Sequence, residues 1–187
     1  MIRLPCSPLL VGNPATAAVL HARQGRAAEA LASLEAALVE ARESNDLVRV
    51  GVVLGCMGLV LENLGRSMEA RVRLQAAISL FRSGGARAEE ASFIAVLAEI
   101  RATNGELEAA RRALEVSAGV LREEQAWTEL GACLVRRGVV ETLAGDHVLA
   151  WAALSDAREV CATEAVYAEI DQAVAALHMS QELAAVA

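Results

Sequence analysis

The sequence predicts an all-α fold of four helical hairpins followed by one more helix, and three observations carry that reading. Alanine and leucine, both strong helix formers, supply about a third of the 187 residues, while aromatic residues make up 3%. All three prolines stand at Pro5, Pro8 and Pro14, so no proline occurs from Ala15 to Ala187. Gly25, Gly65, Gly105 and Gly145 recur at a spacing of 40 residues, the signature of an internal repeat.

Further columns share that register. Five residues after each glycine stand Ala30, Ala70, Ala110 and Ala150, and nine after it Leu34, Leu74, Leu114 and Leu154. Five before it are Leu20, Val60, Ile100 and Val140, and seven before it the small residues Ala18, Gly58, Ala98 and Gly138. On both sides of each glycine, apolar residues recur every three or four positions, so each unit reads as two helices with the glycine as their turn. The small residues let the two backbones approach where the helices cross.

The elements follow in chain order. Residues 1–13 are too rich in proline for a stable helix, and Asn13-Pro14 reads as the cap and first residue of the first one. Four units span 14–46, 47–86, 87–126 and 127–163. In the second, Leu54, Met57, Gly58 and Leu61 mark one face of the first helix, and Ala70, Leu74, Ala77, Ile78 and Phe81 mark the second helix. Ser44-Asn45-Asp46 and Ser83-Gly84-Gly85 read as linkers between units. Residues 164–187 form a final helix and tail, with a stripe of Val166, Ile170, Val174 and Leu177, and with Glu169, Asp171 and Gln172 off it. Such a polar-faced helix is what closes a repeat array.

At these residues the chain resembles the tetratricopeptide repeat family. Gly58 matches the glycine of W-x2-L-G-x2-Y, and Ala70-x3-Leu74 and Ala150-x3-Leu154 match A-x3-F with leucine for phenylalanine. It departs from the family in period, 40 against about 34 residues, in holding Leu54 and Leu61 at the Trp and Tyr positions, and in lacking the closing proline. The longer period is similar to the kinesin-light-chain type and to repeats in bacterial regulatory proteins. The resemblance implies a right-handed α-solenoid over residues 15–163, and protein binding rather than catalysis.

Several function classes fall to composition. The net charge is -7 and all 17 cationic residues are arginine, without the basic stripe that a phosphate backbone demands. The doublets Arg111-Arg112 and Arg136-Arg137 lie among acids and read as solvated faces. Mean hydropathy is +0.38, yet the apolar run from Val50 stops at Glu62, short of the roughly 18 residues a membrane span needs. Nucleic acid and membrane are therefore not expected partners. No secretory apolar segment precedes Cys6, and the cysteines at 6, 56, 133 and 161 form no CxxC pair, so a cytoplasmic protein with reduced thiols is expected.

No catalytic, metal or cofactor constellation is expected. His147 lies at a turn while Cys133 and Cys161 sit at the far end of that hairpin, about 18 Å away along the helices. Cys133 and Cys161 are close enough in that arrangement to be neighbours, as buried thiols. Gly51, Gly55 and Gly58 have no preceding strand and no following GK[ST], which leaves close helix packing as their purpose. Trp127 and Trp151 read as packing residues, and Tyr167 is uncommitted. Arg101 and Glu141 share a repeat position and are expected to pair.

The resemblance also implies a binding surface: the concave groove lined by the first helix of each hairpin. Its columns contain Val52, Gly55, Leu59, Glu62 and Asn63 in the second unit, Ser92, Ala95, Glu99, Ala102 and Thr103 in the third, and Ala132, Val135, Val139, Thr142 and Leu143 in the fourth. The first unit adds Val19, Ala22 and Arg23. Only Arg23 and Asn63 fit the basic clamp by which some family members hold a terminal carboxylate. A small-residue, apolar lining suits an apolar helix or peptide instead. The expected function is a non-enzymatic interaction scaffold or regulatory module. The alternatives are a homo-oligomerisation module acting through an open N-terminal repeat, and a sensor of a small peptide signal.

Overall fold

The computed structural model describes residues 14–160 and 164–186, with side chains except at positions 14, 16, 20, 23, 164, 165, 183, 185 and 186. The expectations for residues 1–13, Asn13, Arg23 and Cys161 lie outside that set. Among the described residues there are nine α-helices and no strand: α1 (Pro14–Arg23), α2 (Ala27–Glu43), α3 (Leu47–Asn63), α4 (Ser67–Ser83), α5 (Arg87–Thr103), α6 (Leu107–Glu123), α7 (Trp127–Ala144), α8 (His147–Val160) and α9 (Glu164–Val186). The all-α expectation holds, and the packing of neighbouring helices is consistent with a helical repeat.

The turns are more regular than the glycine column suggested. Gly25, Gly65, Gly105 and Gly145 have φ between 74° and 88°, but Asn45, Gly85 and Gln125 are also left-handed, at 52°, 71° and 56°. A left-handed residue thus ends a helix every 20 residues. At Gly65 the local reason is plain: its N–H donates to the Glu62 carbonyl at 2.9 Å, and the Arg66 N–H reaches the Leu61 carbonyl at 2.9 Å. Those two bonds satisfy carbonyls that the helix end leaves open. The same pair of bonds recurs at Gly85, where Ala86 donates to Phe81, and at Gln125, where Ala126 donates to Leu121. The expected linker Ser83-Gly84-Gly85 is therefore a turn of the same build as those within units, and Ser44-Asn45-Asp46 shares its left-handed residue and the bond from Asn45 N–H to the Arg42 carbonyl. Asp46 and Asp146 cap the next helix, each accepting a backbone N–H at 3.0 Å.

The chain divides into two compact units, Met1–Phe93 and Ile94–Ala187, with the boundary inside α5. In the first unit α3 packs on α1, α2 and α4. It has no charged residue between Arg49 and Glu62, and every residue from Gly51 to Leu61 is buried. A helix apolar all round must be enclosed in this way. The glycines in α3 make room for specific side chains. A Cβ at Gly51 would lie 2.9 Å from the Phe81 ring, one at Gly55 would overlap the Phe93 ring, and one at Gly58 would stand 2.8 Å from Leu74 Cγ. Phe81 and Phe93 themselves meet with centroids 5.2 Å apart. These are the chain's two phenylalanines, and both depend on missing methyl groups of α3.

In the second unit α7 packs on α6, α8 and α9, and α8 also packs on α9. Gly138 meets Leu154 as Gly58 meets Leu74, with a Cβ again 2.8 Å from the leucine. In α9 the buried stripe is Val166, Ile170, Ala173 and Leu177; Val174, expected on it, is only half-buried. Asp171 and Gln172 are exposed.

Candidate functional site

The columns expected to line a groove are mostly interior. Val52, Gly55, Leu59 and Ser92 are buried in the first unit, and Ala95, Glu99, Ala102, Ala132 and Val135 in the second. Glu62, Val139 and Thr142 are half-buried, while Asn63, Thr103 and Leu143 are exposed. The exposed members lie in the last turns of their helices, so only the turn-proximal end of each column offers side chains to a partner. Glu62 Oε1 accepts the Ser67 hydroxyl at 3.0 Å, and the Thr103 and Thr142 hydroxyls are turned back onto carbonyls of their own helices.

Among the described residues, Glu99, Glu129, Arg136 and Glu141 are charged groups in the interior of the second unit. Arg136, read from the sequence as half of a solvated doublet, is 1% exposed, with its Nε 3.4 Å from Glu99 Oε2 and its Nη1 donating to the Ala132 carbonyl at 3.1 Å. A charge taken out of water needs a partner of opposite sign, and Glu99 supplies it from α5. The signal was present in the repeat: Arg136 interrupts a column of Thr16, Cys56 and Val96, and Glu99 a column of Val19, Leu59 and Val139. Reading Arg136 with its neighbour Arg137 instead of down its column hid the burial.

The expected pairing of Arg101 with Glu141 is replaced by another. Glu141, buried on α7, accepts from Arg111 of α6 through Nε at 3.0 Å and Nη2 at 2.5 Å, while Arg111 Nη1 donates to Glu108 at 2.7 Å. Arg101 instead stands 4.0 Å from Glu106. The hydrogen bond to Glu141, then that to Glu108, raises the Arg111 pKa above its ordinary range. Glu141 is thus held from the neighbouring hairpin's second helix, thirty residues earlier in sequence, not from the matching position forty residues earlier.

The remaining chemistry-bearing residues are dispersed. Cys56 and Cys133 are free thiols, each pushed up from 9.0 to about 12 by burial, and Cys133 Sγ donates to the Leu114 carbonyl at 3.6 Å. His147 Nε2 lies 3.2 Å from the Ser180 hydroxyl, and the Trp151 ring meets His178 edge-on at 5.3 Å. Trp127 and Trp151 are exposed rather than packed inside. Among the described residues no three His, Cys, Asp or Glu side chains converge as a metal would need, and no helix is long and apolar enough to cross a membrane. No protein-family model matches the chain, and a search of curated proteins finds no match.

Proposed function

We propose that the chain is a tetratricopeptide-like right-handed α-solenoid working as a non-enzymatic protein-interaction module, whose partner is an apolar helix or peptide. The observation that supports this reading is a division between the two helix types. Helices α3 and α7 spend their apolar residues on the interior except near their ends, where Leu47, Trp127 and Leu143 are exposed. Helices α2, α4, α6 and α8 bury one stripe each and present large apolar side chains outward: Val39, Met68, Val72, Val116, Val148 and Trp151. In α4, Met68 and Val72 are one turn apart and 73% and 62% exposed, a spacing that suits the face of a docking helix. With the floor of the expected groove buried, these outer stripes are the better candidates for contact.

The test is Met68→Asp with Val72→Asp, surface changes that leave circular dichroism and the melting temperature near the wild-type values. Capture from native lysate should then lose a protein that wild type retains. An unchanged set of captured proteins sets the outer stripe of α4 aside. Light scattering on both proteins separates the alternative of self-association, which the paired substitutions should abolish if a second copy is the partner.

A further inference from the structure

We propose that the buried Glu99–Arg136 pair is a register lock, which restricts α5 and α7 to pairing with each other and disfavours stacking, within a chain or between copies, of hairpins that do not match. The argument starts from the repeat itself. The glycine, alanine and leucine columns that pack each hairpin are the same in all four units, so the hairpins share one backbone frame and much of their apolar surface. A chain of that kind also gains from stacking against the wrong hairpin, its own or another molecule's.

The ion pair is a contact that does not repeat. Glu99 is the one acid in its column, beside Val19, Leu59 and Val139, and Arg136 the one base in its own, beside Thr16, Cys56 and Val96. Any slip by whole repeats therefore sets Glu99 against Thr16, Cys56 or Val96, and sets Arg136 against Val19, Leu59 or Val139. Each such arrangement buries two charges without their partners, whereas the native one buries them 3.4 Å apart. Glu99 and Arg136 are 5% and 1% exposed, so solvent cannot rescue a mismatched charge without opening the packing. Apolar residues would hold these positions at least as well, as Leu59 and Val96 do forty residues earlier; charge adds selectivity instead.

The test refolds the full chain from denaturant over a wide range of protein concentration and weighs the products by native mass spectrometry. Wild type should give one assembly size throughout. Glu99→Leu with Arg136→Val, which installs the residues found forty positions earlier, should melt at or above the wild-type temperature yet give a series of larger assemblies, their share rising about tenfold over wild type. Glu99→Gln with Arg136→Met, closer in shape, reads the same property if the first variant does not fold. A folded variant with only the wild-type species overturns the proposal. So does failure of both variants to fold, because the pair is then needed for the fold itself.

Discussion

Gly55 has space for a hydrogen and no more, because the Phe93 ring occupies the place where a Cβ would go. Gly55→Ala is expected to cost about 2 kcal/mol or more in urea unfolding, since neither the ring nor the enclosed α3 can shift freely. The reverse case is Ser117, buried in α6 with a hydroxyl that has no hydrogen-bond partner, where the repeat elsewhere holds Ala37, Ala77 and Ala157. Ser117→Ala should raise stability by about 1 kcal/mol by removing an unsatisfied polar atom. If calorimetry shows Ser117→Ala melting below wild type, the hydroxyl has a partner that these contacts do not include. The need for small residues at 51, 55 and 58 was legible in the sequence, but not which side chains they accommodate. Phe81 and Phe93 are the only aromatic residues in their columns, and only the folded backbone brings them to those glycines.

At the scale of the element, the recurring feature is a 17-residue helix closed by one left-handed residue, as in α2, α3, α4 and α6. Glycine adopts that conformation without the Cβ clash that Gln125 and, less severely, Asn45 must bear. Gln125→Gly should therefore stabilise by about 1 kcal/mol, Asn45→Gly by less, and Gly65→Ala should destabilise by about as much as Gln125→Gly gains. Equal urea midpoints for the wild type, Gln125→Gly and Gly65→Ala would contradict this account. The sequence revealed the 40-residue period because glycine marks alternate turns. It concealed the 20-residue one because Asn45 and Gln125 meet the same backbone demand with a different side chain. Ion pairs were harder to read: Arg111 and Glu141 are joined across helices of two hairpins, a relation that like-for-like columns do not reveal.

Across the whole molecule, the buried thiols make stability depend on pH on the alkaline side. The folded state holds both protons up to about pH 12, whereas the unfolded chain releases them from about pH 9. The unfolded state therefore binds fewer protons in that window, so stability is complete below pH 9 and falls as pH rises, by about 1.4 kcal/mol per unit for each thiol. Cys56→Ala with Cys133→Ala should flatten the slope of the melting temperature between pH 9 and 11, at some cost in stability at neutral pH. An unchanged slope would mean the thiols are accessible in the folded protein, which reaction with an aromatic disulfide reagent at pH 7 would reveal as well. The all-α class and the hairpin frame were legible from composition and spacing. The reach of the interior was not, because relative burial depends on how many helices surround α3 and α7. The even beat of the turns also bears on how such a chain grows. Each turn is a natural breakpoint for gene duplication or loss, and removing 40 residues between two of them leaves every later helix in its former role. Removing 20 would exchange enclosed helices for amphipathic ones and leave their glycines and phenylalanines without counterparts, so viable length variants of this chain should differ by whole hairpins.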